Sequence, residues 1–439
     1  MDYLTWGEML LLITLVMSIF LCLSKSFLDR DYYAIWSPMT CISITYIYYC
    51  VIGPLIELTH GSVVILRGID HRPYFFDAWL GALLSYLGVW LGFAVCNVKI
   101  RTAASFTADN KLLLKNARMV FFIAVGLLIL LFGAGSMVKL RFWEYSADAG
   151  VGGYSGSFSG YAMQAIVFFI SASLLAFIPF LRKQGAAWFV AIFVVTFSLF
   201  VNFGFRWRLV VLFYALVSVF HLEKRVKLNL KLGISLLLAL LLLVGGMAIA
   251  RSYGRGMRME RLEGVKAGEL IDNAMTEAAC FLASGFIINK YQDTFDHSGF
   301  DFLVNAISAP VPRALWPDKP DGSYIGGPIM SLYGGNRGTG QAALNYAEYF
   351  MAFGWYGVII FPFLMGLFLK RCWLWYIANK SNDYAIIMIS LINGMMYMWV
   401  SRGYFSLFLT LFILVCLPVW ILHRRDGKKK RLAAEEEAF

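Results

Sequence analysis

Ser308–Gly354 reads SAPVPRALWPDKPDGSYIGGPIMSLYGGNRGTGQAALNYAEYFMAFG, a polar, broken stretch whose contrast with its surroundings decides how the chain is built. Five of the eleven prolines lie between Pro310 and Pro328. Their fixed φ and missing N–H forbid a long helix or an interior strand here. Gly334, Gly335, Gly338 and Gly340 follow, where backbone turns tightly or approaches a ligand closely. A stiff half therefore meets a pliable half. Between them they carry Arg313, Lys319 and Arg337 together with Asp318, Asp321 and Glu348. From Phe350 onward the sequence is apolar again, long enough to cross a bilayer.

That alternation runs through the whole chain. Apolar residues make up 60% of the 439, only 15% are charged, and the mean hydropathy is +0.68, so the fold class expected is an all-α polytopic membrane protein. A span needs about 20 mainly apolar residues to cross a ~30 Å hydrocarbon core. Eleven are predicted, near residues 8–23, 35–58, 78–98, 119–134, 161–181, 188–205, 209–222, 232–250, 350–369, 384–400 and 405–422. The chain then divides into spans one to eight (1–250), one large loop (251–345) with the candidate active site, spans nine to eleven (346–422), and a basic then acidic tail (423–439). Asp2 and Glu8 argue against a removable signal peptide.

Lysine and arginine collect on the cytoplasmic side of membrane proteins. Placing HRRDGKKKR, from His423, in the cytoplasm brings more than half of the 38 Lys and Arg to that side. The N-terminus and the large loop are then extracytoplasmic. The loop nevertheless keeps nine basic residues from Arg251 to Arg337, against the topogenic bias. The net charge of +11 divides between a cytoplasmic rim facing anionic lipid headgroups and this loop, which argues against nucleic acid as a partner. Of seven cysteines only Cys280 is in the loop, so no external disulfide is expected. The five histidines lack ligand spacing, and no metal or cofactor is implied.

Several stretches carry both a structural and a functional reading. Asp29-Arg30-Asp31 reads as juxtamembrane charge rather than an ion site. The loop 60–77, with Arg67, Asp70, His71 and Arg72, reads as solvated. Phe142, Trp143, Tyr145 and Tyr154 read as interfacial anchors. Arg206 and Arg208 open a span on the positive-poor side, where snorkelling competes with an intramembrane role. Arg251, Arg255 and Arg258 would share a helical face able to clamp an anion, although Gly254 and Gly256 weaken that helix and Glu260 and Glu263 offer pairing partners. Leu270, Ala274, Ala278 and Leu282 predict an amphipathic helix over 269–291 that lies on the membrane.

The run GFDFLVNAISAPVPRALWPDKP, Gly299–Pro320, with YGGNRGTGQ from Tyr333 and YAEYFMAFGWYGV from Tyr346, resembles the O-antigen or oligosaccharide repeat-unit polymerases called Wzy. Those proteins show a Pro-Arg-x-x-Trp-Pro-x-Lys-Pro core in a large external loop, then a Gly-rich turn, then Glu-Tyr before a span opening Phe-Gly-x-x-Gly. Pro312, Arg313, Trp316, Pro317, Lys319 and Pro320 fill the core; Glu348, Tyr349, Phe353, Gly354 and Gly357 fill the later part. Arg206 or Arg208 stands where the family has a single Gly-x-Arg arginine.

The resemblance implies a GT-C-like membrane glycosyltransferase of the bacterial inner membrane. It would move a growing glycan from undecaprenyl pyrophosphate to the non-reducing end of a newly flipped lipid-linked repeat. Membrane lipids, a chain-length regulator and a repeat-unit flippase are its implied partners. Pyrophosphate is already a good leaving group, so the chemistry calls for fixed cations that stabilise its developing charge. Arginine binds phosphate in two-point fashion. That role is expected of Arg313 and Arg337, with Arg206, Arg208, Arg255 and Arg258 as further candidates and Lys319 as a point charge. Glu348 or Asp318 would take the acceptor hydroxyl's proton, unless the first serves a helix dipole and the second a turn. Trp316 and Tyr349 would pack on sugar or fill the loop's own core. An O-antigen ligase or a polysaccharide flippase are the rival readings; a flippase would need polar or broken spans at mid-membrane.

Overall fold

A computed structural model describes residues 4–437 apart from 30, 60–64, 67, 99–107, 133–165, 203–205, 253–255, 258, 276–278, 309–310, 312–314, 319–325 and 334–341. The described chain is helical. Its first helices are α1 (Trp6–Leu28), α2 (Pro38–Tyr46), α3 (Gly53–Thr59), α4 (Phe75–Val95) and α5 (Asn110–Phe132). They are followed by α6 (Phe168–Leu181), α7 (Ala186–Asn202), α8 (Arg206–Lys224), α9 (Leu230–Ala250), α10 (Ala267–Met275) and α11 (Ala279–Thr294). The chain closes with α12 (Asp301–Ser308), α13 (Gly326–Leu332), α14 (Asn345–Ala378), α15 (Asp383–Ser401) and α16 (Phe405–Glu437). Two antiparallel ladders of two residues each, β1 (Ile65–Leu66) with β2 (Ile69–Asp70) and β3 (Arg251–Ser252) with β4 (Gly256–Met257), are the described strands.

Local chemistry sets several of these boundaries. Thr5 caps α1 through a reciprocal capping box with Glu8, which satisfies two otherwise orphaned N–H groups. Ser37 caps α2 ahead of Pro38 at its first turn, where proline has no hydrogen bond to lose. A π-helical segment, Ile47–Ile52, then carries the chain from α2 into α3.

Nine described helices are long and apolar enough to cross a membrane. Eight coincide with predicted spans. The ninth, Ala267–Thr294, falls where an interfacial helix was expected. The predicted spans 161–181 and 188–205 fall on the shorter apolar helices Phe168–Leu181 and Ala186–Val201, and 209–222 falls within α8. The interfacial reading fails for α11 because Cys280–Ile288 and Tyr291 are all buried, whereas a surface helix leaves one face open. The helix expected from Arg251 onward is not what is found: Arg251 pairs with Met257 and Ser252 with Gly256 in an antiparallel ladder, while Arg255 and Arg258 lie outside the described residues. The aromatic loop with Phe142, Trp143, Tyr145 and Tyr154 lies outside the described residues.

By its contacts the chain divides into two units, one of Met1–Lys99, Ile271–Trp373 and Met396–Leu409, the other of Ile100–Leu270, Leu374–Met395 and Thr410–Phe439. In the first, α4 meets α14 with backbones nearly touching. A Cβ on Gly92 would lie 2.0 Å from the Phe363 carbonyl oxygen, and one on Gly88 would lie 2.8 Å from that of Ile359. Small residues four apart are how membrane helices approach this closely. Nearby, Trp79 donates to the Cys50 carbonyl at 2.9 Å, and Tyr46 to Ser85 at 2.8 Å. Glu8 accepts both Arg72 guanidinium nitrogens at 2.6 and 2.8 Å, closing α1 onto the segment before α4.

The second unit is held by buried polar groups as well as rings. Arg182 donates to Asp383 at 2.6 Å and to Glu223 at 2.8 Å. Asn116 donates to Tyr384 at 2.8 Å and to Asp426 at 2.9 Å, and accepts from Arg425 at 2.6 Å. Phe177 and Phe180 pack on Phe189 with centroids 5.0 and 4.6 Å apart. Arg182, Asp383 and Asp426 thus meet partners, which is the condition for keeping a charge in a low-dielectric interior.

Replacing Gly92 tests the α4–α14 contact. Gly92→Val forces the two backbones apart and is expected to destabilise the first unit by about 1–3 kcal/mol or more, read as a lowered unfolding midpoint in detergent. An unchanged midpoint would contradict the close approach.

Candidate functional site

The site begins with a break in a helix. Within α14, Phe353 (φ −141°, ψ 21°) and Gly354 (φ 61°, ψ −151°) leave helical geometry, and the second of these conformations is essentially reserved for glycine. A Cβ on Gly357 would come within 2.3 Å of the Tyr349 carbonyl oxygen. The Phe-Gly-x-x-Gly signature thus has a structural meaning: one glycine turns the chain and the other lets the two halves of the helix close up.

The break places carbonyls where other backbone can use them. Ser298 donates its N–H to Met351 O at 3.0 Å and Gly299 donates to Ala352 O at 2.8 Å. These bonds seat α12, whose Phe302 is fully buried among the rings of Phe361, Phe405 and Tyr349 at 4.8, 5.4 and 5.9 Å. The proline-rich segment therefore starts from a fixed foot. Within it, Trp316 is 41% exposed and Asp318 is also exposed.

Glu348 and Tyr349 lie in the core. Glu348 is 2% exposed, and both its oxygens lie 2.8 Å from the N–H of Phe405, the first residue of α16. The carboxylate, itself in the first turn of α14, thus also serves the N-terminus of a neighbouring helix. The Tyr349 hydroxyl accepts from Trp399 Nε1 at 2.8 Å, and the ring stacks on Phe361 at 5.2 Å. With its ring buried, Tyr349 takes the core-packing role of the two weighed for it, since stacking on a sugar requires an open face.

The Gly-rich segment is fixed at its two ends. On the near side Tyr333, 7% exposed, packs on Phe286 of α11 at 4.8 Å and stacks on His71 at 6.0 Å. On the far side the Leu344 N–H donates to Ser284 Oγ of the same helix at 2.8 Å, while Gly403 donates to Ala343 O at 2.7 Å. His71 is fully buried, which corrects the solvated reading for that residue, while Asp70 beside it is exposed as expected. Burial pushes its imidazole below the usual histidine range.

Arg402, in the turn between α15 and α16, is a half-buried cation of this unit that sequence reasoning passed over, its Nη1 3.9 Å from Cys280 Sγ. Of the arginines opening α8, Arg208 is buried with its guanidinium 4.9 Å over the Trp207 ring, and Arg206 is half-buried. Both belong to the second unit. Arg255, Arg258, Arg313, Lys319 and Arg337 lie outside the described residues. Among the described residues no group of histidine, cysteine, aspartate and glutamate is arranged to hold a metal ion.

The two roles open to Glu348 separate experimentally. Glu348→Ala leaves the N–H of half-buried Phe405 without this acceptor and is expected to cost about 1–3 kcal/mol, whereas Glu348→Gln keeps an acceptor and stays folded. A Gln variant that folds as well as the parent and retains activity establishes the cap; one that folds but is inactive would assign the carboxylate to proton transfer instead. Gly354→Ala is expected to lower stability by roughly 1–3 kcal/mol through strain alone, and an unaltered unfolding midpoint would contradict the break.

Comparison with curated proteins and with solved structures gives no match. Comparison with protein families does. Arg313, Trp316, Asp318 and Lys319 precede the matched stretch, while Arg337, Glu348, Tyr349 and the Gly354 break fall inside it. Over residues 323–430, about a quarter of the chain, the sequence matches the model of the family described as O-antigen polysaccharide polymerase Wzy.

Proposed function

We propose that the protein polymerises lipid-linked oligosaccharide repeat units on the outer face of the bacterial inner membrane. The supporting observation is the fixed frame around residues 309–341. A charged, irregular segment is carried between α12 and α14, and its described flanks are pinned by Phe302, Tyr333 and Leu344. The family match reaches into the same segment.

The donor is the growing glycan on undecaprenyl pyrophosphate, and the acceptor is a hydroxyl at the non-reducing end of a new lipid-linked repeat. The hydroxyl oxygen forms a bond to the anomeric carbon while the bond from that carbon to pyrophosphate breaks. Arg313 and Arg337 meet the charge that develops on the departing diphosphate, with Lys319 as a further point charge. Asp318, exposed beside Trp316 in sequence, takes the hydroxyl proton. Glu348, buried against Phe405, keeps the frame in place. Trp316 offers its exposed ring to a sugar face.

Deletion and complementation in the source bacterium test this reading. Loss of the protein is expected to leave single capped repeats. Arg313→Ala and Arg337→Ala should reach the membrane at normal levels yet lose the polymer ladder, each by about 100-fold or more, as removal of a charge-stabilising donor does elsewhere. Accumulation of long lipid-linked polymer on deletion would identify a ligase, and full-length chains in both arginine variants would remove the proposed site.

A further inference from the structure

We infer that the open side of α12 is a lipid-binding surface, immersed in the bilayer leaflet from which α16 starts. With eight residues, Asp301–Ser308, the helix is about 12 Å long and too short to cross a bilayer. Phe300 accepts the Val304 N–H at 2.9 Å and so belongs to the same helical path. The helix is inside out by the standard of a protein in water. Its buried side holds Asn305 and Ser308 beside Phe302 and Ala306. The two polar groups are satisfied by the helix itself, Asn305 Nδ2 donating to Asp301 O at 2.9 Å and Ser308 Oγ to Asn305 O at 3.3 Å. The outward side presents Phe300, Val304 and Ile307, which are 73%, 42% and 74% exposed. Steps of about 100° per residue bring these three within an arc of roughly 60°. Helices surrounded by lipid carry polar groups inward and apolar ones outward, whereas a helix facing water does the opposite.

What covers that side follows from what α12 leans on. Phe302 stacks on Phe405, the first residue of α16, at 5.4 Å and packs on Phe361 of α14 at 4.8 Å. Both helices are long and apolar enough to cross a membrane. Phe361 lies about 10 Å beyond the break at Gly354 along α14, so α12 rests on the flank of that span and not above its end. Ile360, about 100° round the helix from Phe361, is open, and with Tyr356, Leu364 and Phe368 it forms a stripe of exposed apolar side chains at four-residue spacing. No charged residue occurs from Tyr349 to Leu369 or from Phe302 to Ser308. The stripe therefore faces hydrocarbon, and α12 borders it. Ser298 and Gly299, at the head of α12, meet Met351 and Ala352, so a helix held in the leaflet also holds the break in α14 at the membrane boundary. This placement does not depend on the reaction proposed above.

Spin labels on the full-length protein in vesicles of phosphatidylethanolamine and phosphatidylglycerol report the surroundings of α12 without reference to activity. Val304→Cys and Ile307→Cys, each labelled in a chain with the native cysteines replaced, are expected to be relaxed more by oxygen, which concentrates in hydrocarbon, than by a water-soluble nickel chelate. Leu364→Cys on the α14 stripe and Ser381→Cys in the exposed turn before α15 calibrate the lipid and water extremes. Stronger relaxation by nickel at either α12 position would put the face in water and overturn the inference. Shielding from both reagents would put protein over it, whether a second copy or another part of this chain, and would overturn it equally. Ile307→p-benzoylphenylalanine, made with the native cysteines in place, gives an independent reading. Illumination in the same vesicles should attach phospholipid, seen as an added mass; attachment to a second chain or within the chain, with no lipid adduct, would contradict the placement.

Discussion

A peptide group cut off from water must find a partner inside the protein, and in a chain built for lipid that requirement governs where a helix may stop. At Gly354 a helix bends out of register. The carbonyls of Met351 and Ala352 are met by the amides of Ser298 and Gly299, and from this one accommodation the rest of the first unit follows. It fixes where α12 begins, which sets Phe302 among Phe361, Phe405 and Tyr349. Those rings hold the base of α16, whose first amide rests on Glu348. A break that would be a defect in an isolated helix becomes the joint on which several elements are assembled.

The joint divides labour by solvent exposure. Groups with fixed partners, Glu348, Tyr349, Ser284 and His71, are buried and hold backbone or one another. Trp316 and Asp318 are exposed, free to meet a substrate. Departure of a diphosphate demands cations set in place before the reaction, because their value lies in avoiding reorganisation as charge develops. The second unit applies the same rule to charge, tying Arg182 to Asp383 and Glu223 and Asp426 to Asn116.

Much of the fold is legible in the sequence because hydropathy reports the solvent directly. Long apolar runs from Trp6 to Leu28 or from Asp383 to Ser401 leave little choice of structure. The joint is less legible: the predicted span 350–369 runs straight through Gly354, and the Phe-Gly-x-x-Gly of the resemblance marks the glycines without announcing the break. What stays hidden depends on partners remote in sequence. Leu270, Ala274 and Leu282 suggest one apolar face, but α11 is covered on nearly every side because α4 and the returning Leu344 pack against it. Glu348 reads as a base or as an acid at its own helix N-terminus, and nothing nearby in sequence announces Phe405. His71 reads as solvated because nothing nearby in sequence announces Tyr333. The helix expected from Arg251 onward gives way to a ladder in which Arg251 faces Met257 and Ser252 faces Gly256.

The account places the segment around Trp316 outside the cytoplasm, where a lipid-borne glycan awaits extension. Trp316→Cys, introduced with the native cysteines replaced, should react with a membrane-impermeant thiol reagent applied to spheroplasts with an intact inner membrane. Labelling that appears only after the inner membrane is opened would put this segment in the cytosol, away from the substrate, and would contradict the account.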